Sequence, residues 1–375
     1  MGKPSRFKVI VSDCHLGAGR LFEGRLNPHE DFHFDGEMCA LFRHFSTGKY
    51  GEGPTGPVEV ELILAGDFLD FLGVPFQGEF EDEVTEEMAV YKVEAILRGH
   101  PEVSATLRAF AALPGKSVTY LIGNHDADLV YPKVREKIIR AWDPEGRYPS
   151  PVVRILHDTD RITYEEGVEV RHGQQLDGGN DLDFARPVFP AHDGKEILNL
   201  PWSSVYVLKI INPLRWEREW FDRVRPAKAF VLFGLLLDPI FTIRFLFLTS
   251  IFFLRTRLTE RARARYSLKR AWDNLRQEAR FFRNLEDEAR QILDETAGLR
   301  TIIFGHTHYP MDKVYPDGKQ YINTGTWTRM INMDWGGWGQ GLRRTFALIE
   351  LGEKGARCEL RQWIGESGPH GPYAG

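Results

Sequence analysis

Four short apolar runs, each ending directly in polar residues, set the pattern of the chain. They are rich in Val, Ile and Leu and occupy Phe7–Asp13, Glu59–Asp67, Ser117–Asn124 and Arg300–His306. Runs of this length and composition are typical of strands buried in a sheet. Helical stretches lie between them, for example at Glu83–Leu97 and Val103–Leu113. The alternation predicts an α/β layered core with reactive groups at the carboxyl ends of its strands.

Later in the chain the strands become shorter and are separated by polar turns. The runs Val152–His157, Arg161–Glu165 and Val168–Arg171 predict antiparallel hairpins. Similar runs recur at Gln320–Thr326 and Thr345–Leu351. We therefore expect two sheets in the core rather than one.

A long segment separates two parts of this core. We assign residues 1–177 and 299–360 to the core, 178–298 to a helical insertion and 361–375 to a disordered, Gly/Pro-rich tail. The middle of the insertion, Ala229–Leu254, is almost entirely apolar, and Asp238-Pro239 predicts that it forms two shorter helices. Its last part, Arg261–Thr296, has helical periodicity with mixed charge.

The overall charge conceals a strong local imbalance. The 375 residues are 42% hydrophobic and 27% charged, which is typical of a globular protein, and the net charge of −5 gives no sign of a nucleic-acid binder. Between Lys209 and Arg270, however, fourteen Lys and Arg face five Asp and Glu. The insertion is therefore basic, the rest of the chain is acidic, and partners have to be judged segment by segment.

Cysteine usage and the N-terminus indicate a cytoplasmic protein. Cys14, Cys39 and Cys358 show no metal-site spacing, and an odd number cannot all pair, so we expect reduced thiols. The apolar run that begins at Phe7 leaves no room for a signal peptide before it.

Five short polar signatures carry the candidate chemistry, and each is weak by itself. In chain order they are Asp13-Cys14-His15, Gly66-Asp67-Phe68-Leu69-Asp70, Gly123-Asn124-His125-Asp126, His172-Gly173 and Gly305-His306-Thr307-His308. Together they offer seven oxygen and nitrogen donors, too many for one ion with open positions but suited to two ions that share a bridge. Asp67 is the natural bridging carboxylate. Gly66, Gly123 and Gly305 precede ligands, where a larger side chain would crowd the metals.

Such donors suit Mn, Fe, Zn, Ni or Co. Two cations roughly 3.5–4 Å apart lower the pKa of a shared water and stabilise the attacking and leaving oxygens of a phosphoryl transfer.

The five signatures resemble those of the calcineurin-like metallophosphoesterase superfamily over residues 7–177 and 299–351. The resemblance implies a two-sheet sandwich flanked by helices and two divalent ions, with Mn²⁺ first among the candidates. It also implies one metal bound by Asp13, His15, Asp67 and His308, and a second bound by Asp67, Asn124, His172 and His306. His125 would face the substrate and donate a proton or hydrogen bond to the leaving oxygen, and Asp70 would orient it.

Other polar residues near these signatures have local explanations. Asp70 and Asp126 are also suited to closing turns or capping helices, and Asp128, Asp177 and Asp181 are expected to be loop residues. Gln174 stands where relatives often have Asp or His, which leaves the His172 ligand intact but alters the hydrogen bonds around it.

The opening Ser12–Gly17 looks like that of the UDP-2,3-diacylglucosamine hydrolases of lipid A synthesis, which cleave a pyrophosphate and carry a helical insertion. Members of that subfamily usually read G-N-R after the third strand, whereas this chain reads Gly123-Asn124-His125. The resemblance implies a nucleotide-linked lipid as substrate.

The insertion gives an independent indication of a lipid partner. Its apolar run is bordered by Arg and Lys, at Arg223, Arg225 and Lys228 before it and at Arg255, Arg257, Arg261, Arg263 and Arg265 after it. This pattern suits a peripheral protein on an anionic membrane surface at the inner face of the membrane. A buried lid, a homo-oligomer interface and a true membrane span, which needs about 20 residues, remain open.

Two other classes remain as alternatives. A nuclease or small-molecule phosphodiesterase of the same superfamily would use the same metals, and Trp335 and Trp338 would then be candidates for stacking on bases. Nucleic acid is the less favoured partner, because the basic residues border an apolar run rather than a groove. A non-catalytic scaffold would be expected to have lost ligands, and this sequence has all seven.

Overall fold

The structure, a computed structural model, describes residues 6–53, 56–143, 145, 152–225, 227–258, 285–332, 339–341, 343–352, 355–366 and 368–373. The α-helices of these ranges are α1 (Asp35–His44), α2 (Glu86–Gly99), α3 (Pro101–Ala111), α4 (Pro132–Trp142), α5 (Trp202–Tyr206), α6 (Asn212–Arg215), α7 (Ala227–Leu237), α8 (Pro239–Leu258) and α9 (Leu285–Glu295). A π-helical turn, Val207–Ile211, joins α5 to α6. Short 3₁₀ turns lie at Gly48–Tyr50, Ala127–Val130, Gln174–Leu176 and Phe221–Arg223.

The strands of the first half of the chain are β1 (Arg6–Val11), β2 (Leu21–Phe22), β3 (Arg25–Leu26), β4 (Glu52–Gly53), β5 (Gly56–Pro57), β6 (Val60–Ala65), β7 (Lys116–Leu121), β8 (Val153–Leu156), β9 (Arg161–Tyr164) and β10 (Val168–Arg171). Those of the second half are β11 (Val188–Pro190), β12 (Glu196–Leu198), β13 (Val224–Arg225), β14 (Thr301–Phe304), β15 (Met311–Val314), β16 (Gln320–Asn323), β17 (Met330–Asn332), β18 (Gly339–Gly341), β19 (Thr345–Gly352), β20 (Gly355–Trp363) and β21 (His370–Pro372).

The larger sheet has seven strands in the order β21-β20-β19-β1-β6-β7-β8. Its half β1-β6-β7-β8 is parallel, with Ile10 opposite Ile63 and Leu64 opposite Tyr120. The other half is antiparallel. Because β1, β6 and β7 are adjacent and parallel, the loops that follow them emerge side by side at one end of the sheet.

The smaller sheet has five strands in the order β15-β16-β14-β10-β9. The central strands β10, β14 and β16 are parallel, and the two edge strands are antiparallel to them. The loops after β10 and β14 therefore also leave from neighbouring positions at one end.

Alternate residues of the central strands face different cores. Ile10 and Ile63 point into a dry interior between the two sheets, where they meet Val170 and Ile303. The intervening Val9, Val11, Leu62 and Leu64 point outward into the core shared with α1 to α4. This period of two, with apolar residues on both faces, explains why the strands read as continuous apolar runs.

Helices cover both outer faces. Helices α1 to α4 pack on the larger sheet, and α9 covers the smaller one, where Leu285, Ala289 and Leu293 lie against Ile302 and Phe304. The expected α/β fold, a two-sheet sandwich flanked by helices, is confirmed. The three cysteines carry free thiols, as predicted.

Two local predictions are wrong. The run at 152–157 does not form an antiparallel hairpin, because β8 extends the larger sheet parallel to β7, with Val153 opposite Val118. The segment 361–375 is not a disordered tail over its described residues, because β21 pairs with the long strand β20. In both cases the free edge of a neighbouring strand supplies hydrogen bonds that local composition does not reveal.

The insertion begins as part of the main core. Leu182, Leu198 and Leu208 are buried with the residues of α1 to α4, and the β11–β12 hairpin lies in this part. Helix α7 ends at Leu237 and α8 begins at Pro239, so the break predicted at Asp238-Pro239 is confirmed. The predicted helix from Arg261 lies outside the described residues until Leu285.

The two apolar helices α7 and α8 form a hairpin, which we call the apolar hairpin. They approach closely at Gly234, where a Cβ would lie 2.4 Å from Thr242 Oγ1. Phe241 and Phe245 pack on Phe221 and on the helical turns before it. Among the described residues, α8 is the helix long and apolar enough to cross a membrane by length and composition, with 17% of its stretch Pro239–Thr256 buried.

A buried histidine ties the loop after β1 to the helices. His100, at the α2–α3 junction, places Nδ1 2.7 Å from Asp35 Oδ1 and Nε2 3.3 Å from Glu30 Oε2. Glu30 in turn accepts hydrogen bonds from the backbone N–H groups of Gly17 and Gly19. Burial alone would lower the pKa of His100, but the two carboxylates raise it from 6.5 to about 9.

This contact predicts a pH-dependent stability. Because the folded pKa of His100 lies above its unfolded value, its contribution is complete below pH 6.5 and is lost as the pH rises through about 9. Near pH 6, the free energy of unfolding of wild type should exceed that of His100→Gln by up to about 3 kcal/mol. This difference should become smaller as the pH rises through about 9. Urea unfolding at about pH 6 and about pH 10 measures the difference, and a constant difference would contradict the prediction.

Candidate metal centre

Five loops from the two sheets meet at one end of the sandwich. The loops after β1, β6 and β7 bring Asp13, Asp67 and Asn124, and the loops after β10 and β14 bring His172 and His306. His15 and His308 follow two residues after Asp13 and His306. The structure therefore brings six of the seven predicted ligands into overlapping groups, although they are spread over nearly 300 residues. The seventh, Asn124, is buried in the loop after β7.

The first group of donors consists of Asp13, His15 and His308, whose ligand atoms lie within 4.8 Å of one another. His308 Nε2 is 3.3 Å from Asp13 Oδ1 and 3.1 Å from His15 Nε2. Asp13 is fully buried and accepts hydrogen bonds from the backbone N–H of His306. The three side chains could therefore hold one metal ion between them.

The second group consists of Asp67, His172 and His306, again within 4.8 Å. His172 Nδ1 donates to Ala65 O at 2.9 Å, which leaves Nε2 as the nitrogen available to a metal, 3.2 Å from Asp67 Oδ2. A further set, His15, Asp67 and His125, connects the two groups. Asp67 belongs to two of these three groups, and overlapping groups of this kind would fit a pair of divalent cations.

Buried acceptor atoms without hydrogen-bond donors support this fit. Asn124 Oδ1 and His172 Nε2 are fully enclosed, and neither has a hydrogen bond within the described part of the chain. His172 Nε2 is close to Asp67, but the direction is unsuitable for a hydrogen bond. Burying such acceptors costs about 1–3 kcal/mol each, unless a cation takes up their lone pairs. The residues present therefore fit a pair of bound divalent ions.

Three glycines leave space that the ligands use. A Cβ at Gly123 would lie 2.2 Å from Asp67 Oδ1, and one at Gly305 would lie 2.4 Å from Asp13 Oδ2. A Cβ at Gly66 would lie 2.5 Å from the ring of His172. All three contacts are too short for any larger residue, as the sequence predicts.

Several ligands also have an unusual backbone. Asp13, His15, Asp67, His306 and His308 all have positive φ, between 50° and 68°. Among the described residues only three other non-glycines share this conformation, and this left-handed region costs about 1–3 kcal/mol per residue. The loops are held in strained turns that aim successive side chains inward.

His125 and Asp70 form the predicted pair. His125 Nδ1 lies 3.1 Å from Asp70 Oδ1, and its ring meets the ring of His15 edge-on at 4.6 Å. Asp70 Oδ2 also lies 3.8 Å from His15 Nδ1, so one carboxylate contacts a predicted ligand and the predicted acid. About a fifth of the His125 side chain, 22%, is exposed, which leaves it accessible from outside the site. Their catalytic roles stay predictions.

The charges of the site reinforce each other. Burial would raise the pKa of Asp67, but His172 and His125 hold it well below the usual value. Burial would lower the pKa of His172, but Asp67 and Asp13 raise it to about 10. Without cations, the carboxylates therefore favour the protonated form of His172, and metal binding there has to displace that proton.

Asp126 supports the ligand loops from behind. Its Oδ2 accepts from Tyr120 OH at 2.7 Å and from the N–H of Phe68 at 3.2 Å, and its Oδ1 accepts from the N–H of Gly123. Burial and the nearby Asp67 raise the pKa of Asp126 to about 7. These contacts agree with the turn-closing role expected from the sequence. They also join the loop after β6 to the loop after β7.

Asp177 was expected to be a loop residue, yet its Oδ2 lies 3.3 Å from His306 Nε2. In the sequence, only its position five residues after His172 could have marked Asp177 as part of the site. That position hardly distinguishes it from Asp181. Gln174 is buried and donates to Ile122 O. Asp128 is buried 4.0 Å from Lys92 Nζ and belongs to none of the donor groups.

Comparison with known proteins gives weak similarities. No family model and no curated protein matches the chain. A conserved uncharacterized protein from Streptococcus pneumoniae TIGR4, a predicted phosphoesterase, is 9% identical at a TM-score of 0.29, over 100% of this chain and 95% of that one.

A putative 5'-nucleotidase from Staphylococcus aureus, in complex with alpha-ketoglutarate, is 11% identical at a TM-score of 0.35, over 96% of this chain and 55% of that one. Vps29 from Entamoeba histolytica, complexed with Zn²⁺, is 19% identical at a TM-score of 0.12, over 21% of this chain and 46% of that one. Identities and TM-scores as low as these carry no argument, so the description of the fold and of the site depends on the geometry given above.

The glycine contacts predict a loss of metal binding. Gly305→Ala and Gly123→Ala should each weaken Mn²⁺ binding at least about tenfold, because the new methyl group displaces Asp13 or Asp67. Titration calorimetry of the metal-free protein measures the affinity. Gly36→Ala, where nothing lies within 4 Å, is the matched control and should bind like wild type. Unchanged Mn²⁺ binding by Gly305→Ala would show that metal binding does not require Asp13 in its present position.

Proposed function

We propose that this chain is a metal-dependent phosphoesterase that uses two divalent ions, with Mn²⁺ first among the candidates. The observation that carries the proposal is the convergence of Asp13, His15, Asp67, His172, His306 and His308 into overlapping donor groups, with Asn124 buried beside them. Two such ions, when bound, polarise a phosphoryl oxygen and lower the pKa of an attacking water. Oxygen and imidazole donors of this kind suit Mn, Fe, Zn, Ni or Co.

The protein's own contribution to the reaction centres on His125. Burial would lower the pKa of its imidazole, but Asp70 and Asp67 raise it to about 9. Neighbouring cations would move this pKa back toward neutrality, since they repel the imidazolium. With Nδ1 held by Asp70, the free Nε2 is placed to give its proton to the oxygen of the leaving group.

Turnover of a generic aryl phosphodiester with Mn²⁺ tests this proposal. We expect Asp67→Ala to abolish activity, because it removes the ligand shared by both ions, and His125→Gln to lower kcat by about 10²–10⁴. Asp193→Asn, at an exposed loop carboxylate, is the control and should be fully active. Normal turnover by folded Asp67→Ala protein would refute the proposal.

For the substrate, we propose the pyrophosphate of a UDP-diacylglucosamine-like lipid precursor. The support is that the insertion packs directly on the ligand loops. Ser204 Oγ donates to Asn124 O at 3.3 Å, and Asn212 Nδ2 donates to Leu72 O at 2.7 Å. The insertion that carries the apolar hairpin is thus attached to the loops of the candidate site. Parallel turnover of UDP-diacylglucosamine, a bis-aryl phosphate and single-stranded DNA compares the candidates, and preferred cleavage of DNA would favour a nuclease.

We also propose that the apolar hairpin rests on an anionic membrane surface, which would place the protein at the inner face of the membrane. Its tip exposes Leu236, Leu237 and Ile240, each more than three-quarters uncovered. The charges beside it are neutralised in pairs, Arg218 with Asp238 and Arg244 with Glu217, which lowers the cost of removing them from water. Trp216 and Trp220 are exposed nearby, and tryptophan favours the boundary between water and lipid.

Vesicle flotation tests this surface. Wild type should float with vesicles that contain anionic lipid, and Leu236→Asp with Leu237→Asp should lose most of this binding, because two carboxylates would enter the apolar layer. The control is Leu21→Asp with Leu26→Asp, two equally exposed leucines on the β2–β3 hairpin. Equal flotation of both double variants would contradict membrane docking. So would a result in which the substitutions at Leu236 and Leu237 only dissociate a dimer and leave flotation unchanged.

A further inference from the structure

The loop after β10 carries a carboxylate that none of the metal groups includes. Asp177 follows a short 3₁₀ turn, and its Oδ2 lies 3.3 Å from His306 Nε2. The same oxygen accepts from Asn180 Nδ2 at 2.7 Å, and Oδ1 accepts from the N–H of Gly179 at 3.3 Å. The carboxylate is therefore held in place on the side of His306 that faces the insertion.

An imidazole can bind a cation through one nitrogen only if its proton is on the other. Ligand histidines therefore usually donate that second N–H to a carboxylate or a carbonyl, which fixes the tautomer and the ring orientation. His172 shows this arrangement, since its Nδ1 donates to Ala65 O. Asp177 stands in the corresponding place for His306, at Nε2.

We propose that Asp177 is a positioning residue that keeps the proton of His306 on Nε2 and so leaves Nδ1 free to bind the metal. The inference rests on the proposed metal site and deepens it. It adds one residue that supports the second donor group without touching substrate.

Asp177 is itself supported by the insertion. Ser203 Oγ donates to Asn180 Oδ1, and the N–H of Ser203 donates to Gly179 O at 3.0 Å. Ser203 lies on α5, next to Ser204, which donates to Asn124 O. One short helix thus contacts both the loop of Asp177, which supports His306, and the loop of Asn124.

Helix α5 also contacts the apolar hairpin. Trp202 Nε1 donates to Thr256 Oγ1 at 3.2 Å, and Tyr206 OH lies 2.9 Å from Thr249 Oγ1. The Trp202 ring packs on Phe252 and Phe253. The same helix therefore connects α8 with the support of His306, so the placement of Asp177 depends on the insertion being docked.

Metal affinity tests the proposal without relying on turnover. Metal-free wild type, Asp177→Asn and Asp177→Glu are titrated with Mn²⁺ in competition with a chelating dye. We expect Asp177→Asn to bind one of two ions about 10–100-fold more weakly, since the amide no longer fixes the tautomer, and Asp177→Glu to recover part of this loss. Asp193→Asn is the control, and thermal unfolding of the metal-free proteins shows whether each variant is folded.

The proton position gives a second, independent readout. In protein loaded with diamagnetic Zn²⁺, nitrogen–proton correlation spectra should show His306 with a proton on Nε2, with His306→Asn identifying its signals. A proton on Nδ1, or two ions bound by folded Asp177→Asn with wild-type affinity, would overturn the inference. If wild type bound no metal at all, both the proposed function and the role of Asp177 would be refuted.

Discussion

The structure depends on one electrostatic constraint: buried carboxylates and imidazoles face each other across the end of the sandwich. Asp13 and Asp67 are fully buried carboxylates, and His15 Nε2 and His308 Nε2 face each other 3.1 Å apart. Asn124 Oδ1 lies enclosed beside them without a donor. Such a cluster is stable only when positive charge lies within it, supplied by protons on the imidazoles or by bound cations.

The scaffold supplies the rigidity that this arrangement needs. Ligands with positive φ would relax if their loops were free to move, but each loop is anchored at a strand buried on both faces. Asp126 joins two of the loops, and Thr326 and Trp327 donate to the Asp13 carbonyl from the opposite side. The free energy lost in strained turns is offset by the packing of the two-sheet core.

The insertion links three features that are far apart in sequence. Its first part is buried in the main core, its helix α5 supports the loops of Asn124 and Asp177, and its apolar hairpin presents leucines to the outside. Helix α5 contacts both α8 and the loops of Asn124 and Asp177, so it joins the apolar hairpin to the candidate metal centre. The chemistry and the apolar surface are therefore parts of one continuous assembly.

The sequence by itself determined the strands of the candidate metal centre and the polar residues that follow them directly. An apolar run followed at once by Asp, Asn or His is a local pattern, and so is the proline that separates α7 from α8. Only the tertiary structure decided that β8 extends the parallel sheet, that β21 closes its far edge and that Asp177 reaches His306. Strand partners and second contacts of a ligand are chosen by distant segments that meet only in the folded chain, so no local pattern specifies them.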